Sequence, residues 1–220
     1  YKWSAATFTR MGSYIVGAPE FVLGKGYGAW QSRIEPYQAA GCRVLLAARY
    51  AGTPDPKAGL DSAAVRPVAL ITLSNRIRPE AEKTFRYFKQ AGVSVRVISG
   101  DNPVTVSEVA RQAGVADAEC YVDAASLKTD EDITRAAAQY TVFGRVTPEQ
   151  KRKLVHALQA AGHTVAMTGD GVNDVLALKE ADCSIAMASG SDVACQASHI
   201  VLLDSNFASM PSVVAEGRRV

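Results

Sequence analysis

The feature that most constrains the fold of this chain is the stretch VAMTGDGVND at residues 165–174. Strand-forming residues run up to Thr168, two glycines flank Asp170, and a helix-like pattern begins near Asn173. This order predicts a parallel strand that ends in a tight turn, and ligands of open α/β sheets bind at that edge. Asp170 and Asp174 are hard oxygen ligands suited to Mg²⁺, and glycines allow close approach to the backbone. An Asp-Gly turn with an Asn cap could look similar, but the coincidence of strand, turn and carboxylates favours a functional site.

Strands and helices alternate over most of the chain. Apolar strand-like runs are predicted at 68–73, 93–99, 141–146 and 164–168. The helices that follow the first three runs begin at a proline and are followed by a glycine, which is the usual asymmetry of helix ends. Strands that alternate with helices of about 10–15 residues indicate βαβ units. The predicted fold class is therefore α/β, a doubly wound parallel sheet with helices on both faces.

Residues 1–65 follow a different pattern. A helix is predicted at 31–41 and a buried strand at 43–50, and a loop rich in Gly, Pro and Asp follows at 51–62. We therefore predict two domains, a smaller α+β segment at 1–65 and the parallel-sheet domain at 66–220.

The composition excludes several classes of protein. A hydrophobic fraction of 48% and a charged fraction of 21% are typical of a globular protein. A net charge of +2 with scattered basic residues gives no indication of nucleic-acid binding. There is no apolar run near 18 residues, so no membrane span is predicted, and the cysteine spacing is typical of reduced thiols in a cytosolic protein. Because Tyr1-Lys2-Trp3 is no natural start, we expect the chain to be an excised fragment.

Polar clusters follow two further predicted strands. In SGDNP (99–103), the Ser99 hydroxyl and the next amides can hold a phosphate oxygen at a helix N-terminus, although a capped turn would have the same sequence. Lys151 falls in the first turn of a helix, where the macrodipole disfavours a cation, which suggests an anionic partner. A hydroxyl, a lysine and two aspartates on neighbouring strand tips indicate phosphoryl transfer. No residue is an obvious nucleophile, because Asp204 ends a strand but lacks a following Lys-Thr-Gly.

These motifs resemble those of the P-type cation-transporting ATPases, within the haloacid dehalogenase (HAD) superfamily. SGDNP (99–103) is similar to the family's TGDN segment, and FGRVTPEQK (143–151) to its F-A-R-x-x-P-x-x-K segment. Residues 167–187 resemble the family's hinge signature. In the first block, VGAPEFVL (16–23) resembles the KGAPE segment of the nucleotide-binding domain, with Val16 where many members have Lys. The likeness extends over nearly the whole chain and implies a HAD-like phosphorylation domain at 66–220.

The resemblance implies a role for each motif residue. The transferred phosphoryl group would be bound or neutralised by Ser99, Gly100, Lys151 and Asn173. Mg²⁺ would be ligated by Asp170, with support from Asp174. The nucleotide would be held by Lys2, Gly17, Arg43, Asp101 and Arg145.

The resemblance also implies that the chain is part of a larger transport protein. The ligand would be ATP, and the partners would be the actuator and transmembrane domains of the same polypeptide, with the cation bound in the membrane domain. The location would be the cytoplasmic face of a membrane, in a bacterium, and the GAPE segment favours a calcium-like hard cation over a soft metal.

Two departures from the family pattern bear on activity. The phosphorylated aspartate of the D-K-T-G-T motif is absent, and in the full-length pump it would lie before Tyr1. The isolated chain is therefore expected not to turn over ATP. Asn75 stands where the family's D-P-x-R motif has Asp, so a carboxylate near the nucleotide is lost.

Two alternative functions remain open. A soluble HAD-superfamily phosphatase would need a D-x-D motif near its N-terminus, and none is present. GAPE and Arg43 would also have no role in such an enzyme. A catalytically inactive HAD-like module differs from a truncated pump only in the sequence upstream of Tyr1.

Overall fold

The computed structural model describes residues 2–55, 57–74 and 76–219. Residue contacts divide the chain into two compact units, Tyr1–Arg76 and Ile77–Val220. Asn75, the predicted departure from the family pattern, lies outside the described residues.

The first unit is built on an antiparallel sheet. Its strands, in spatial order, are β1 (Trp3–Phe8), β2 (Gly12–Gly17), β3 (Arg43–Tyr50) and β4 (Val65–Leu73). The helices α1 (Pro19–Leu23) and α2 (Gln31–Ala39) lie between β2 and β3 in the chain. Val22 and Leu23 of α1 share a buried cluster with Ile15 and Leu46 of the sheet. This apolar contact holds α1 against β2 and β3.

The structure corrects the domain boundary predicted between residues 65 and 66. The strand predicted at 68–73 is expected to open the parallel-sheet domain at 66–220. In the structure this strand is β4. It pairs instead with β3 in antiparallel register, from Arg43 opposite Leu73 to Tyr50 opposite Val65. The loop at 51–62 thus lies within a β-hairpin, and the division between units falls after Arg76.

The second unit contains six parallel strands and seven α-helices in the part that the structure describes. One sheet has the order β5-β7-β6 and the other β10-β9-β8. The strands are β5 (Val97–Ile98), β6 (Tyr121–Asp123), β7 (Val142–Gly144), β8 (Ala166–Gly169), β9 (Cys183–Met187) and β10 (Ile200–Leu202). The helices are α3 (Ala81–Gln90), α4 (Pro103–Gln112), α5 (Asp130–Gln139), α6 (Pro148–Ala160), α7 (Val175–Glu180), α8 (Asp192–Gln196) and α9 (Met210–Gly217).

The predicted α/β class with parallel strands and flanking helices is confirmed. The arrangement of the strands differs from the prediction in one respect. We expected one continuous sheet with three adjacent strand tips, but within the described ranges β8 pairs only with β9, while β5 and β7 belong to the other sheet. Hydrogen bonding alone therefore does not bring the three motif-bearing strands side by side.

Helix ends in the second unit follow the sequence signals. Asn102 accepts the Val104 N–H at 2.9 Å before α4. Thr147 and Gln150 form a capping box at the start of α6, where Pro148 occupies the first turn. Gly162, with a φ of 86°, follows the end of that helix. These local signals fix where α4 and α6 begin, and hence where the polar residues after β5 and β7 lie.

The strand β7 is the buried centre of its sheet. Val142 and Phe143 have at most 1% of their surface exposed. Phe143 packs with Leu154 of α6 and Ile133 of α5 in one apolar cluster. No helix in the described segments has the length and apolar character needed to cross a bilayer.

Candidate functional site

The turn after β8 is organised by Asp174. One carboxylate oxygen, Oδ2, accepts the backbone N–H groups of Asp170 at 3.3 Å and Gly171 at 3.2 Å. Asp174 itself is only 7% exposed, whereas Asp170 is exposed. A Cβ on Gly169 would come within 2.6 Å of the Asp174 Cβ, so this position requires glycine. The turn therefore presents one aspartate outward and uses the other to hold its own backbone.

The segment after β9 supports the same turn from another direction. The Ser191 N–H donates to the Asp170 carbonyl at 2.7 Å. A Cβ on Gly190 would lie 2.5 Å from that carbonyl oxygen, so the two segments are in backbone contact. The position of Asp170 is thus set by its own turn and by residues 190–191.

A buried ion pair joins α6 to the turn after β8. The Lys151 Nζ donates to Asp174 Oδ1 at 2.5 Å, and the two side chains are 12% and 10% exposed. The Asp174 carboxylate is therefore an anionic partner of Lys151 within the chain. Binding of a phosphoryl group by Lys151 stays a prediction. Because α6 follows β7 and the turn follows β8, this pair links the carboxyl edges of the two sheets. A charge pair so removed from water interacts strongly.

The SGDNP segment forms a capped turn. The Ser99 Oγ accepts the Asp101 N–H at 3.1 Å, which is the capping geometry that the sequence left open. The backbone is also tied to the end of β7, because the Val146 N–H donates to the Ser99 carbonyl at 2.9 Å. Gly100 lies against the same segment, since a Cβ on Gly100 would be 3.8 Å from the Val146 carbonyl oxygen, an ordinary van der Waals contact. Ser99 and Gly100 are thus brought to the loop that leads to Lys151.

Arg145 lies beside Asp101 and bonds to a residue that no motif identified. Its N–H donates to the Asp101 carbonyl at 2.8 Å, and its backbone adopts a φ of 54°. Its Nη1 donates to Asp123 Oδ2, at the end of β6, at 2.6 Å. Sequence reasoning missed Asp123 because it stands alone after a three-residue strand. The signal that leads to it is the parallel register, which places Asp123 opposite Gly144, the residue before Arg145.

The predicted nucleotide residues of the first unit lie at the same end of its sheet. Lys2 precedes β1, Gly17 ends β2 and Arg43 begins β3. A Cβ on Gly17 would come within 2.6 Å of the Lys2 carbonyl oxygen, so close strand packing requires this glycine. The Lys2 Nζ lies 4.7 Å from the centre of the Phe21 ring, a cation–π contact.

The donors present can contribute one carboxylate to a magnesium site. Both Asp174 oxygens are engaged, by Lys151 and by two backbone N–H groups. Asp170 is exposed on the turn that Asp174 holds. Across the described segments, no group of three His, Cys, Asp or Glu side chains could hold a metal. Mg²⁺ commonly uses one or two protein carboxylates together with phosphate and water, so this donor set fits it.

A cavity of about 280 Å³ adjoins Asp170. Its lining includes Arg78, Thr84 and Asn206. Asp204 lies two residues after β10 and accepts the Ser209 hydroxyl at 2.5 Å. This bond holds the pKa of its carboxyl below the ordinary value. Its other oxygen accepts the Asn206 N–H, so both oxygens are engaged within the turn.

Comparison with known proteins defines the class. A family model described as "Hydrolase: haloacid dehalogenase-like hydrolase" matches residues 2–182. The chain therefore belongs to the haloacid dehalogenase-like hydrolases, and the predicted relationship to the P-type ATPases within that group is confirmed by its relatives.

The relatives are named as transport ATPases and are much longer than this chain. It is 48% identical over 220 residues to the calcium-transporting ATPase CtpE of Mycobacterium tuberculosis, covering all of this chain and 27% of the relative. It is 42% identical over 219 residues to the probable cation-transporting ATPase exp7 of Streptococcus pneumoniae, covering 28% of it. The endoplasmic reticulum calcium ATPase srcA of Aspergillus fumigatus is 38% identical over 160 residues, covering 70% of this chain and 16% of the relative. The chain thus spans about a quarter of the length of the two bacterial relatives.

Proposed function

We propose that this chain is the phosphorylation module, with part of the nucleotide-binding domain, of a P-type ATPase that couples ATP hydrolysis to cation transport. The observation that carries the proposal is the buried Lys151–Asp174 pair. It fixes the Lys151 ammonium group at the turn that carries the exposed Asp170. Phosphoryl transfer needs such positioned charge more than covalent chemistry by the protein. Likeness to cation-transporting ATPases over the full chain supports the same function.

The proposed reaction uses an aspartate supplied outside this chain. An oxygen of that aspartate attacks the γ-phosphorus of ATP, the bond to the leaving ADP oxygen breaks, and water later cleaves the acyl phosphate. The Ser99 hydroxyl and the Gly100 N–H bind phosphoryl oxygens, with Asn173 beside them, and Lys151 neutralises their charge. Bound Mg²⁺, held by Asp170, supplies further neutralisation of those oxygens.

In this proposal each unit contributes nucleotide-binding residues. They are Lys2, Gly17 and Arg43 in the first unit. They are Asp101 and Arg145 in the second unit. The predicted domain roles, nucleotide binding for the first unit and phosphorylation for the second, are part of the same proposal.

The proposed cation is a hard, calcium-like ion, bound in transmembrane segments of the same polypeptide. The chain would work at the cytoplasmic face of a bacterial membrane, together with an actuator domain. The names of the relatives and the GAPE segment support this assignment. ATP-driven Ca²⁺ uptake into membrane vesicles that contain the full-length protein is the matching measurement, and uptake of a soft metal in its place would refute it.

Phosphoenzyme formation from labelled ATP and Mg²⁺ tests the function. Full-length protein should form an acid-stable, hydroxylamine-sensitive phosphoenzyme, and the 220-residue chain should not become labelled. Lys151→Gln should slow phosphorylation by about 100-fold or more, as expected for loss of a charge that stabilises the transition state. Lys153→Gln is the matched control, because Lys153 lies on the same helix and pairs with the exposed Asp130. Stable label on the isolated chain, or none on the full-length protein, would contradict the proposal.

A further inference from the structure

The loop that runs from the end of β7 into the first turn of α6, residues 145–150, is attached at both ends to one turn. That turn, residues 123–127, begins with the last residue of β6 and contains none of the motif residues predicted to bind a ligand. At one end of the loop, Asp123 Oδ2 accepts the Arg145 Nη1 at 2.6 Å. At the other end, Gln150 Nε2 donates to the Ala124 carbonyl at 2.8 Å. We name residues 123–127 the β6 turn.

The Asp123 carboxylate is fixed by its own turn. Its Oδ1 accepts the Ala125 N–H at 2.9 Å, so one oxygen caps the β6 turn while the other holds Arg145. The ion pair is partly shielded from water, with side-chain exposures of 21% for Arg145 and 32% for Asp123. A carboxylate immobilised in this way imposes a direction on the guanidinium that it binds.

The backbone of Arg145 is strained in a way that requires outside support. A φ of 54° is uncommon for a residue with a side chain, and such conformations persist where surrounding contacts over-determine them. Two of those contacts are the N–H bond to the Asp101 carbonyl and the side-chain bond to Asp123. The Asp123 contact therefore helps to hold Arg145 beside Asp101.

The second attachment leads to the phosphoryl-site lysine. Gln150 closes the capping box at the start of α6 while it bonds to the β6 turn. The next residue, Lys151, reaches Asp174. The β6 turn thus contacts Arg145 directly, and it also contacts Gln150, the residue before Lys151. Arg145 and Lys151 are both proposed ligand-binding residues.

We propose that Asp123 is a positioning residue that sets nucleotide affinity by orienting Arg145. This inference rests on the proposed function, in which Arg145 contacts the nucleotide. Asp123 itself does not touch the ligand, so its loss should weaken nucleotide binding and leave the chemical step nearly unchanged. The charge-assisted bond that would be lost corresponds to a rise of about tenfold in the KM for ATP.

Steady-state ATP hydrolysis by the full-length protein separates positioning from a general structural role. Asp123→Asn should raise KM about tenfold and change kcat by less than about twofold. Asp123→Glu, which keeps the carboxylate, should recover most of the affinity. Asp130→Asn is the matched control, because it removes the same charge from a 2.6 Å ion pair with Lys153 on α6. A fall in kcat with unchanged KM, or equal effects of Asp123→Asn and Asp130→Asn, would overturn the proposal.

A double-mutant cycle tests whether Asp123 acts through Arg145. In an Arg145→Ala background, Asp123→Asn should cause no further rise in KM. If the two substitutions raised KM independently, so that their effects multiplied, Asp123 would act on the site by a route other than Arg145. That result would refute the positioning role of Asp123.

Hydrogen exchange on the 220-residue chain gives a readout that does not depend on ATP turnover. Asp123→Asn should accelerate exchange of the Arg145 N–H, whereas Asp130→Asn should not. If full-length protein lacked ATP hydrolysis, the proposed function would fail while this measurement still decided whether Asp123 holds Arg145. Unchanged exchange in both Asp123→Asn and Asp123→Ala would refute the positioning role.

Discussion

Two ion pairs at the carboxyl edges of the parallel sheets differ in burial and in what they hold. Lys151–Asp174 has exposures of 12% and 10%, and it joins elements that follow different sheets. Arg145–Asp123 has exposures of 21% and 32%, and it joins neighbouring strands of one sheet. The buried pair is part of the scaffold, because its loss would leave a charge away from water. The more open pair can change with less effect on folding, and it is therefore better suited to adjust affinity.

The largest expected effect comes from breaking the buried pair. Asp174→Ala should lower the free energy of unfolding by about 3 kcal/mol, since it leaves Lys151 unpaired and two backbone N–H groups without their acceptor. Asp123→Ala should lower it by about 1 kcal/mol, because its pair is closer to water. Denaturation of the 220-residue chain with urea measures both. Similar losses for the two variants would remove the distinction between the pairs.

Replacing both partners sharpens the same test. The double variant Lys151→Met with Asp174→Leu should be more stable than Asp174→Ala, because no buried charge is left unpaired. A double variant that is as unstable as the single one would show that the backbone bonds of Asp174, rather than its ion pair, dominate.

A smaller effect is expected from crowding the backbone beside Asp170. Gly190→Ala should lower the free energy of unfolding by about 1–2 kcal/mol, because the new Cβ would meet the Asp170 carbonyl. Gly217→Ala on α9 is the control, since a Cβ there meets no atom within 4 Å. Equal stability of the two variants, measured by thermal denaturation, would mean that the Asp170 turn can move freely, in contrast to the fixed Asp174.

The smallest effect concerns a pair within α4, in which the Arg111 side chain is 63% exposed and the Glu108 side chain 19%. Hydrogen bonds from Arg111 lower the pKa of the Glu108 carboxyl from 4.5 to about 2. A carboxyl whose folded-state pKa is depressed contributes stability above its unfolded pKa and loses it as the pH falls toward the folded value. The stability advantage of the natural protein over Glu108→Gln should therefore shrink below about pH 4.5. A difference in melting temperature that stays constant from pH 6 to about pH 3 would contradict this assignment.

Much of the site could be predicted because its residues lie in short continuous motifs. The turn after β8 and the capped start of α6 depend on neighbours within a few residues, such as Asp174 with Gly171 and Thr147 with Gln150. Local backbone geometry therefore determines them, and the sequence displays the required residue types at the required spacing. Asp123 could not be found in this way, because its contact with Arg145 depends on strand register rather than on spacing along the chain.

The errors in the fold prediction have a similar cause. The apolar run at β4 predicts a strand correctly, but no local signal identifies its partner, and it pairs with β3 rather than with the parallel strands. Among the described residues of the second unit, the division of the parallel strands into two sheets also depends on contacts between distant segments. Roles of individual residues toward ATP and Mg²⁺ remain predictions.

The hydrogen bonds from Asp170 and Gly171 to Asp174 have a consequence for ligand association. Because these bonds form during folding, the conformational entropy of the turn is lost before any ligand arrives. A ligand that binds this rigid turn does not need to order it. The entropic cost of binding is therefore smaller, and more of the ligand's contact energy appears as affinity.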